Sequence, residues 1–290
     1  MSDAALFFVP VLIWGSTWLA ITLQLGVVAP EVSVTYRFAL ASLLLAVGCA
    51  ATGRSLRFKL RDHGFLAGVG LLMISVNYIL IYRAERFVAS GLVAVVYSTI
   101  VFMTPIGMRV AFGTPLRPRL FVAATLAVAG VALLFLPELE LAARGGGELA
   151  LGVALVLTAV AACAAGNLIA VRNHNAGIPT ITGTVWTLAY GTLFAAIVTI
   201  AGGSRWTFDA RPAYVLSLAY LAVFGSVVAF VTYFALLKRV GAGPSSYIAV
   251  ATPVIAMLLS TVFEGYRWTG TAVVGVVLAV LGNSLALRWR

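Results

Sequence analysis

The chain has 290 residues, 62% of them apolar and 10% charged, against roughly 45–50% apolar and 25% charged in a soluble domain. That leaves too little polar surface to face water, which excludes a soluble enzyme, a nucleic-acid-binding domain and a disordered chain in favour of an integral membrane protein. The net charge of +10 does not restore a nucleic-acid reading, because the basic residues stand in short clusters between long apolar runs, as membrane loops do.

A spanning helix needs about 20 mostly apolar residues. Ten runs meet this, over 4–25, 31–52, 63–82, 87–111, 119–137, 149–171, 180–201, 213–237, 244–263 and 268–287. They are too long and too evenly apolar for membrane β-strands, so the predicted fold is all-α with ten transmembrane helices. The start, Met1-Ser2-Asp3-Ala4-Ala5, lacks the basic region of a signal peptide, and the first run is expected to be retained.

Polar and amphipathic residues at membrane depth are the candidates for function. Span 1 carries Trp14, Thr17 and Trp18 on one stripe near mid-depth. Span 2 carries Arg37 about six residues below its outer end, roughly 9 Å in. It is expected either to snorkel to the headgroups or to face a cavity and pair with a substrate carboxylate. Span 3 holds Asn77, Tyr78 and Tyr82. The last two share a face at i, i+4, and Tyr82 also suits an outer aromatic belt. Span 4 has Tyr97 and Thr104 one heptad apart, just before Pro105. Span 6 has Cys163 and Asn167, span 7 has Trp186 and Tyr190, span 8 has Tyr233, and span 9 opens with Ser245, Ser246 and Tyr247. Spans 5 and 10 are nearly free of such groups and are expected at the periphery, with spans 1–4 and 6–9 around the cavity. Pro105 and Pro253 each free a carbonyl, near Val101 and Ala249, and are expected to act as static kinks or as a pair of hinges.

The absences matter as much. Cys49 and Cys163 both lie in apolar runs and read as small hydrophobes, with no disulfide or metal site. No nucleophile–base pair, metal-ligand cluster or phosphate loop is apparent, so neither catalysis nor a cofactor is expected. His63 and His174 fall at span ends and read as wet loop residues. Apart from Glu31, the first residue of the second run, no Asp or Glu lies inside a predicted span, and from the lack of a buried carboxylate any passage of a solute is expected to be uncoupled from protons.

Loop charge orients the chain. With the N-terminus inside, the inner loops and ends hold Arg54, Arg57, Lys59, Arg61, Arg109, Arg117, Arg119, Arg172, Lys238, Arg239, Arg288 and Arg290. The outer loops hold only Arg83, Arg86, Arg144, Arg205, Arg211 and Arg267. The bias follows the positive-inside rule and predicts both termini in the cytoplasm. The longest polar break, around Arg144-Gly145-Gly146-Gly147-Glu148, divides the chain into halves 1–144 and 145–290. Five spans per half would make homologous halves inverted repeats. Pro30 and Pro179, Thr104-Pro105 and Thr252-Pro253, and Gly130 and Gly282 are the matching features.

With these features the chain resembles the drug/metabolite transporter superfamily, EamA type. The resemblance rests on Trp14-Gly15-Ser16-Thr17-Trp18, Tyr36-Arg37-Phe38, Thr104-Pro105, Phe112-Gly113, Leu116-Arg117 and the Gly-rich tails of spans 5 and 10. It implies ten helices in two inverted five-helix halves and export of metabolites or drugs. The family's Gly-Glu pair after spans 4 and 9 is altered here to Gly113-Thr114 and Glu264-Gly265. Among members, the aromatic content looks most like the YddG-type amino-acid exporters. The leading expectation is an inner-membrane exporter of amino acids and related metabolites, monomer or homodimer, with Trp14, Thr17, Trp18, Arg37, Asn77, Tyr78, Tyr82, Tyr97, Asn167, Trp186, Tyr190, Tyr233 and Tyr247 as substrate contacts. A multidrug exporter of flat cations, and a non-transporting membrane scaffold, are the alternatives.

Overall fold

A computed structural model describes residues 1–116, 119–134, 147–240, 245 and 247–287. The division point around Arg144 and the turn Gly241-Ala242-Gly243-Pro244 lie outside the described residues, as do Arg117, Ser246, Arg288 and Arg290. Among the described residues the chain is helical without strands, and each predicted apolar run holds one helix. In chain order these are α1 (Asp3–Thr22), α2 (Pro30–Ala51), α3 (Leu60–Ala84), α4 (Ser90–Phe112), α5 (Arg119–Leu134), α6 (Gly147–Asn175), α7 (Thr180–Ala201), α8 (Pro212–Val240), α9 (Tyr247–Phe263) and α10 (Gly270–Leu287). Seven of them, α1–α4 and α6–α8, are long and apolar enough to cross a membrane by themselves. Helices α9 and α10 contain shorter apolar stretches, Ala251–Phe263 and Gly270–Gly282.

The helix ends follow from local chemistry. Ser2 caps α1 by accepting from the Ala5 N–H at 3.3 Å. Pro30 and Pro212 open α2 and α8, where their missing N–H is not needed. Gly113 ends α4 in the left-handed conformation, φ 69°, which only glycine adopts without strain.

Two helices are irregular in their middles. Helix α3 widens into π turns over Gly70–Val76, and α8 does so over Val223–Val228. In α8 the Ser226 hydroxyl donates to the Leu221 carbonyl five residues back, at 2.8 Å. Helix α4 is interrupted at Ser98 and Thr99, whose hydroxyls donate to the carbonyls of Val95 (2.6 Å) and Val96 (2.7 Å), in competition with the helical ladder. Pro105 lies beyond that interruption, in the continuous stretch Ile100–Phe112, and Pro253 lies inside a continuous α9. The Thr252 hydroxyl, next to Pro253, bonds the Ile248 carbonyl.

Helices α5 and α10 pack along each other at one side of the bundle, and α2 packs along α7. Helix α1 packs on α8 and α9, α6 on α3 and α4, and α4 on α9. Small residues permit the closest approaches. A Cβ on Gly70 would lie 2.7 Å from the Thr187 carbonyl and 2.8 Å from the Gly191 nitrogen, and one on Gly130 would lie 2.4 Å from the Ala279 nitrogen. Outward faces are apolar, with Leu43 and Val47 of α2, Ile197 and Ile200 of α7, and Val274 and Val277 of α10 exposed, as hydrocarbon contact requires.

Candidate functional site

The central cavity lies between α1, α3, α4, α6, α8 and α9. The space between the side chains, its mouth included, is about 820 Å³. Of the residues expected from sequence, Trp14, Thr17, Trp18, Asn77, Tyr78, Tyr97, Asn167 and Tyr233 line it, together with Thr104, Cys163 and Ser245. Helices α2 and α7 do not line it, which corrects the expectation that spans 1–4 and 6–9 would all enclose it. They lie against each other, and the Gly70–Gly191 crossing leaves no space between α3 and α7.

The walls are aromatic. Trp14 sits 5.4 Å from Phe230 and 5.2 Å from Tyr233, and Trp18 sits 5.3 Å from Tyr97. Two amide–phenol pairs interrupt them. The Tyr97 hydroxyl donates to Asn77 Oδ1 at 3.1 Å, and the Tyr233 hydroxyl donates to Asn167 Oδ1 at 3.1 Å. Asn77 Nδ2 in turn donates to the Met73 carbonyl at 3.2 Å. The Trp18 indole N–H is buried and has no hydrogen-bond partner among the described residues. None of the lining residues is charged. The site therefore offers ring faces, hydroxyls and amides to a small molecule of no net charge, and ring faces to a cation. Tyr97→Phe should leave Asn77 Oδ1 without its donor and destabilise the fold by about 1–3 kcal/mol. Thermal unfolding in detergent reads this, and an unchanged midpoint would show that the pair carries no stability.

Arg37 is elsewhere. It is fully buried behind the cavity wall, its guanidinium carbon 4.5 Å from the Tyr78 ring centre and 4.9 Å from that of Phe38. Its Nε donates to Ser226 Oγ at 3.0 Å and its Nη2 to the Gly225 carbonyl at 3.3 Å. The same carbonyl accepts from the Trp14 indole at 3.2 Å. The π turn of α8 thus presents one backbone oxygen to side chains of both α1 and α2. Arg37 neither snorkels nor reaches the cavity; it ties α2 to α8.

Tyr82 is also buried, outside the cavity and away from lipid, with its hydroxyl donating to Gln24 Oε1 at 2.9 Å. Trp186 and Tyr190 form a separate cluster near the start of α3. The Trp186 indole donates to the Leu56 carbonyl at 2.8 Å, and the Tyr190 hydroxyl lies 3.0 Å from His63 Nδ1. The His63 ring stands edge-on to Trp186 at 4.5 Å, so His63 is a packed helix residue and not a wet loop one. The side chain of Tyr247 lies outside the described residues. Cys49 and Cys163 are buried free thiols.

At the end of the bundle away from the N-terminus, the far end, cross-links join the helices. Glu264 Oε2 accepts from Ser90 Oγ at 2.6 Å, Arg83 meets Glu31 at 3.2 Å, and the Ser33 and Tyr214 hydroxyls lie 3.0 Å apart. Ser204 also bonds Glu31. Besides Asp209, buried and paired with Arg211, two carboxyl groups are withdrawn from water here, Glu31 and Glu85, with relative exposures of 6% and 7%. The premise that no carboxylate is buried is thereby corrected. Both stand at helix ends, where apolar-run counting does not look. Burial pushes the Glu85 carboxyl well above the usual carboxylate range; nearby Glu264 pushes the same way and Arg37 opposes. Phe230 and Gly225 were also missed by sequence. Phe230 precedes Tyr233 at helical spacing and could have been found; the role of Gly225 follows only from the π turn.

A helical bundle enclosing an uncharged aromatic cavity, with lipid-compatible outer faces, has the form of a membrane protein that takes up a small molecule. The EamA-like transporter family matches residues 1–136 and again 150–288, and the chain belongs to that family. It is 29% identical over 285 residues to the inner membrane transporter YedA of Escherichia coli (strain K12), covering 94% of this chain and 89% of that one. It is 24% identical to a probable amino-acid metabolite efflux pump of the same organism, covering 99% and 96%. Protein PagO of Salmonella typhimurium is 23% identical, covering 100% of this chain and 94% of that one. One solved crystal structure superposes with a TM-score of 0.70 at 20% identity, covering 98% of this chain and 96% of that one; this likeness concerns the fold.

Proposed function

We propose that this protein exports amino acids, aromatic ones included, and related small metabolites across the bacterial inner membrane by alternating access. The observation that carries the reading is the cavity: aromatic walls, two amide–phenol pairs and no charged lining residue. A zwitterion's carboxylate finds hydroxyls such as that of Thr17, its amine finds Thr104 and the Asn amide oxygens, and its side chain finds the rings. The efflux role printed for one relative points the same way. With no acid lining the cavity, substrate moves down its own gradient without exchanging a proton there.

In this reading the ten helices are two inverted five-helix halves, 1–144 and 145–290, with both termini cytoplasmic and the far end outside. Exchanging α1 with α6, α2 with α7, α3 with α8, α4 with α9 and α5 with α10 carries the main packed helix pairs into one another, α1–α8 into α3–α6 and α1–α9 into α4–α6, although α1–α4 has no α6–α9 counterpart of like extent. The π turns fall in α3 and α8, which are counterparts under that exchange. The family's double match, once per half, also supports it. Closed cross-links at the outer end and the cavity's reach to Ser245 at the start of α9 suit a state closed to the outside. Helices α2 and α7 act as braces, with Arg37, Tyr82, Trp186 and Tyr190 holding the bundle together outside the cavity. Pro105 and Pro253 remain hinge candidates.

The test is uptake by proteoliposomes of a panel of labelled amino acids and of a quaternary ammonium dye. Saturable uptake of neutral amino acids, without accumulation against a gradient when a pH difference is imposed, is expected. Transport of the dye alone would transfer the assignment to a multidrug exporter, which the same rings would serve by cation–π contact.

A further inference from the structure

The closed far end contains a carboxylic acid that the transport cavity does not use. Glu85 is the first residue past the end of α3, beyond its apolar span. Its exposure is 7%, and neither carboxyl oxygen has a hydrogen-bond donor among the described residues. Glu264 faces it from the end of α9, Arg37 from α2 and Tyr82 from its own helix. Arg37, the cation that faces it, does not hydrogen-bond it, and Arg37 Nη1 is itself buried without a partner among the described residues. Arg83 pairs with Glu31, and Arg37 gives Nε and Nη2 to Ser226 and Gly225. Glu264 is held by Ser90 at the start of α4, so the second carboxyl is fixed beside the first by the contact that closes this end.

An ionised carboxylate without donors, next to a second acid, is strongly disfavoured, whereas the neutral acid fits without one. We propose that Glu85 is a proton-binding site that keeps the far end of the cavity closed while protonated and lets it open when ionised. Its transport role rests on the reading above, but its protonation does not require a substrate.

The direction follows from linkage. In an open state Glu85 meets water and ionises in the ordinary carboxylate range. In the closed state burial, reinforced by Glu264, raises that point well above it. Below the ordinary range both states are protonated and pH has no influence. Between the two values the closed-to-open ratio falls by up to about tenfold per pH unit, and above the raised value the effect is complete. The proton sets how readily the gate opens and does not cross with the substrate, so the pH of the outer side changes the rate and not the accumulation ratio.

The test uses the full-length protein in lipid bilayers without substrate. Spin labels at Val27→Cys and Phe263→Cys, 57% and 67% exposed, report the distance across the far end, while the native cysteines are buried. The short-distance population should dominate at acid pH and give way as pH rises. Glu85→Gln should stay short at every pH, and Glu264→Gln should end the pH dependence at a lower pH. Infrared spectra of wild type should show a protonated carboxyl band near neutral pH that Glu85→Gln lacks. A pH response that survives in Glu85→Gln, or no such band in wild type, overturns the proposal. If wild type shows both pH responses yet takes up no amino acid, the gate stands and the substrate reading falls.

Discussion

Replacing Trp14 with alanine is expected to abolish saturable amino-acid uptake, while Trp14→Phe retains it at roughly a fifth of the wild-type efficiency. Trp14 does two things at once. Its ring packs against Phe230 and Tyr233 and forms one wall of the cavity. Its indole N–H donates to the Gly225 carbonyl, the oxygen that also receives Arg37. Truncation to alanine removes both ring contacts, each worth about 0.5–1.5 kcal/mol beyond burial, and a large-to-small change of this kind totals about 3–5 kcal/mol. A phenylalanine keeps a ring but loses the hydrogen bond, about 1 kcal/mol, hence the fivefold figure. Rates normalised to folded protein by size-exclusion chromatography separate transport from assembly. Wild-type uptake by folded Trp14→Ala would remove Trp14 from the site.

Gly70→Leu should prevent the bundle from assembling as it stands. The added carbon meets backbone on α7, at Thr187 and Gly191, and the Cβ of Tyr190 at 2.9 Å. Backbone cannot rotate away as a flexible side chain can, so α3 and α7 must separate. Overpacking generally costs about 1–3 kcal/mol, and this site belongs at or above the upper end. Gly48→Leu is the control, because nothing lies within 4 Å of its added carbon and it faces outward. Thermal unfolding of the two purified variants should give a large drop for Gly70→Leu and none for Gly48→Leu. Equal midpoints would mean that the α3–α7 crossing is not tight.

Much of the site was readable because helical spacing is local. Trp14, Thr17 and Trp18 share a face whatever the rest of the chain does. Which neighbour that face meets is not local. Trp186 and Tyr190 have the same i, i+4 signature as cavity residues, yet α7 turns them toward His63 and Leu56. Arg37 carried a real signal, a charge inside a span, but a charge can be satisfied by solvent, substrate or protein. Here a π turn and two rings meet it, with Nη1 left unpaired among the described residues.

The sequence by itself determined that this is a helical membrane protein and where its apolar runs lie. Hydropathy and run length are sums over consecutive residues, and in lipid the backbone must bond within each helix. It also determined most of the amphipathic residues around the cavity. The tertiary structure alone decided that α2 and α7 stand outside the cavity, that α3 and α8 widen into π turns, and that the helix-end acid Glu85 is buried beside Glu264. These depend on contacts between residues far apart in the chain, where burial and charge are set by neighbours that no single run contains.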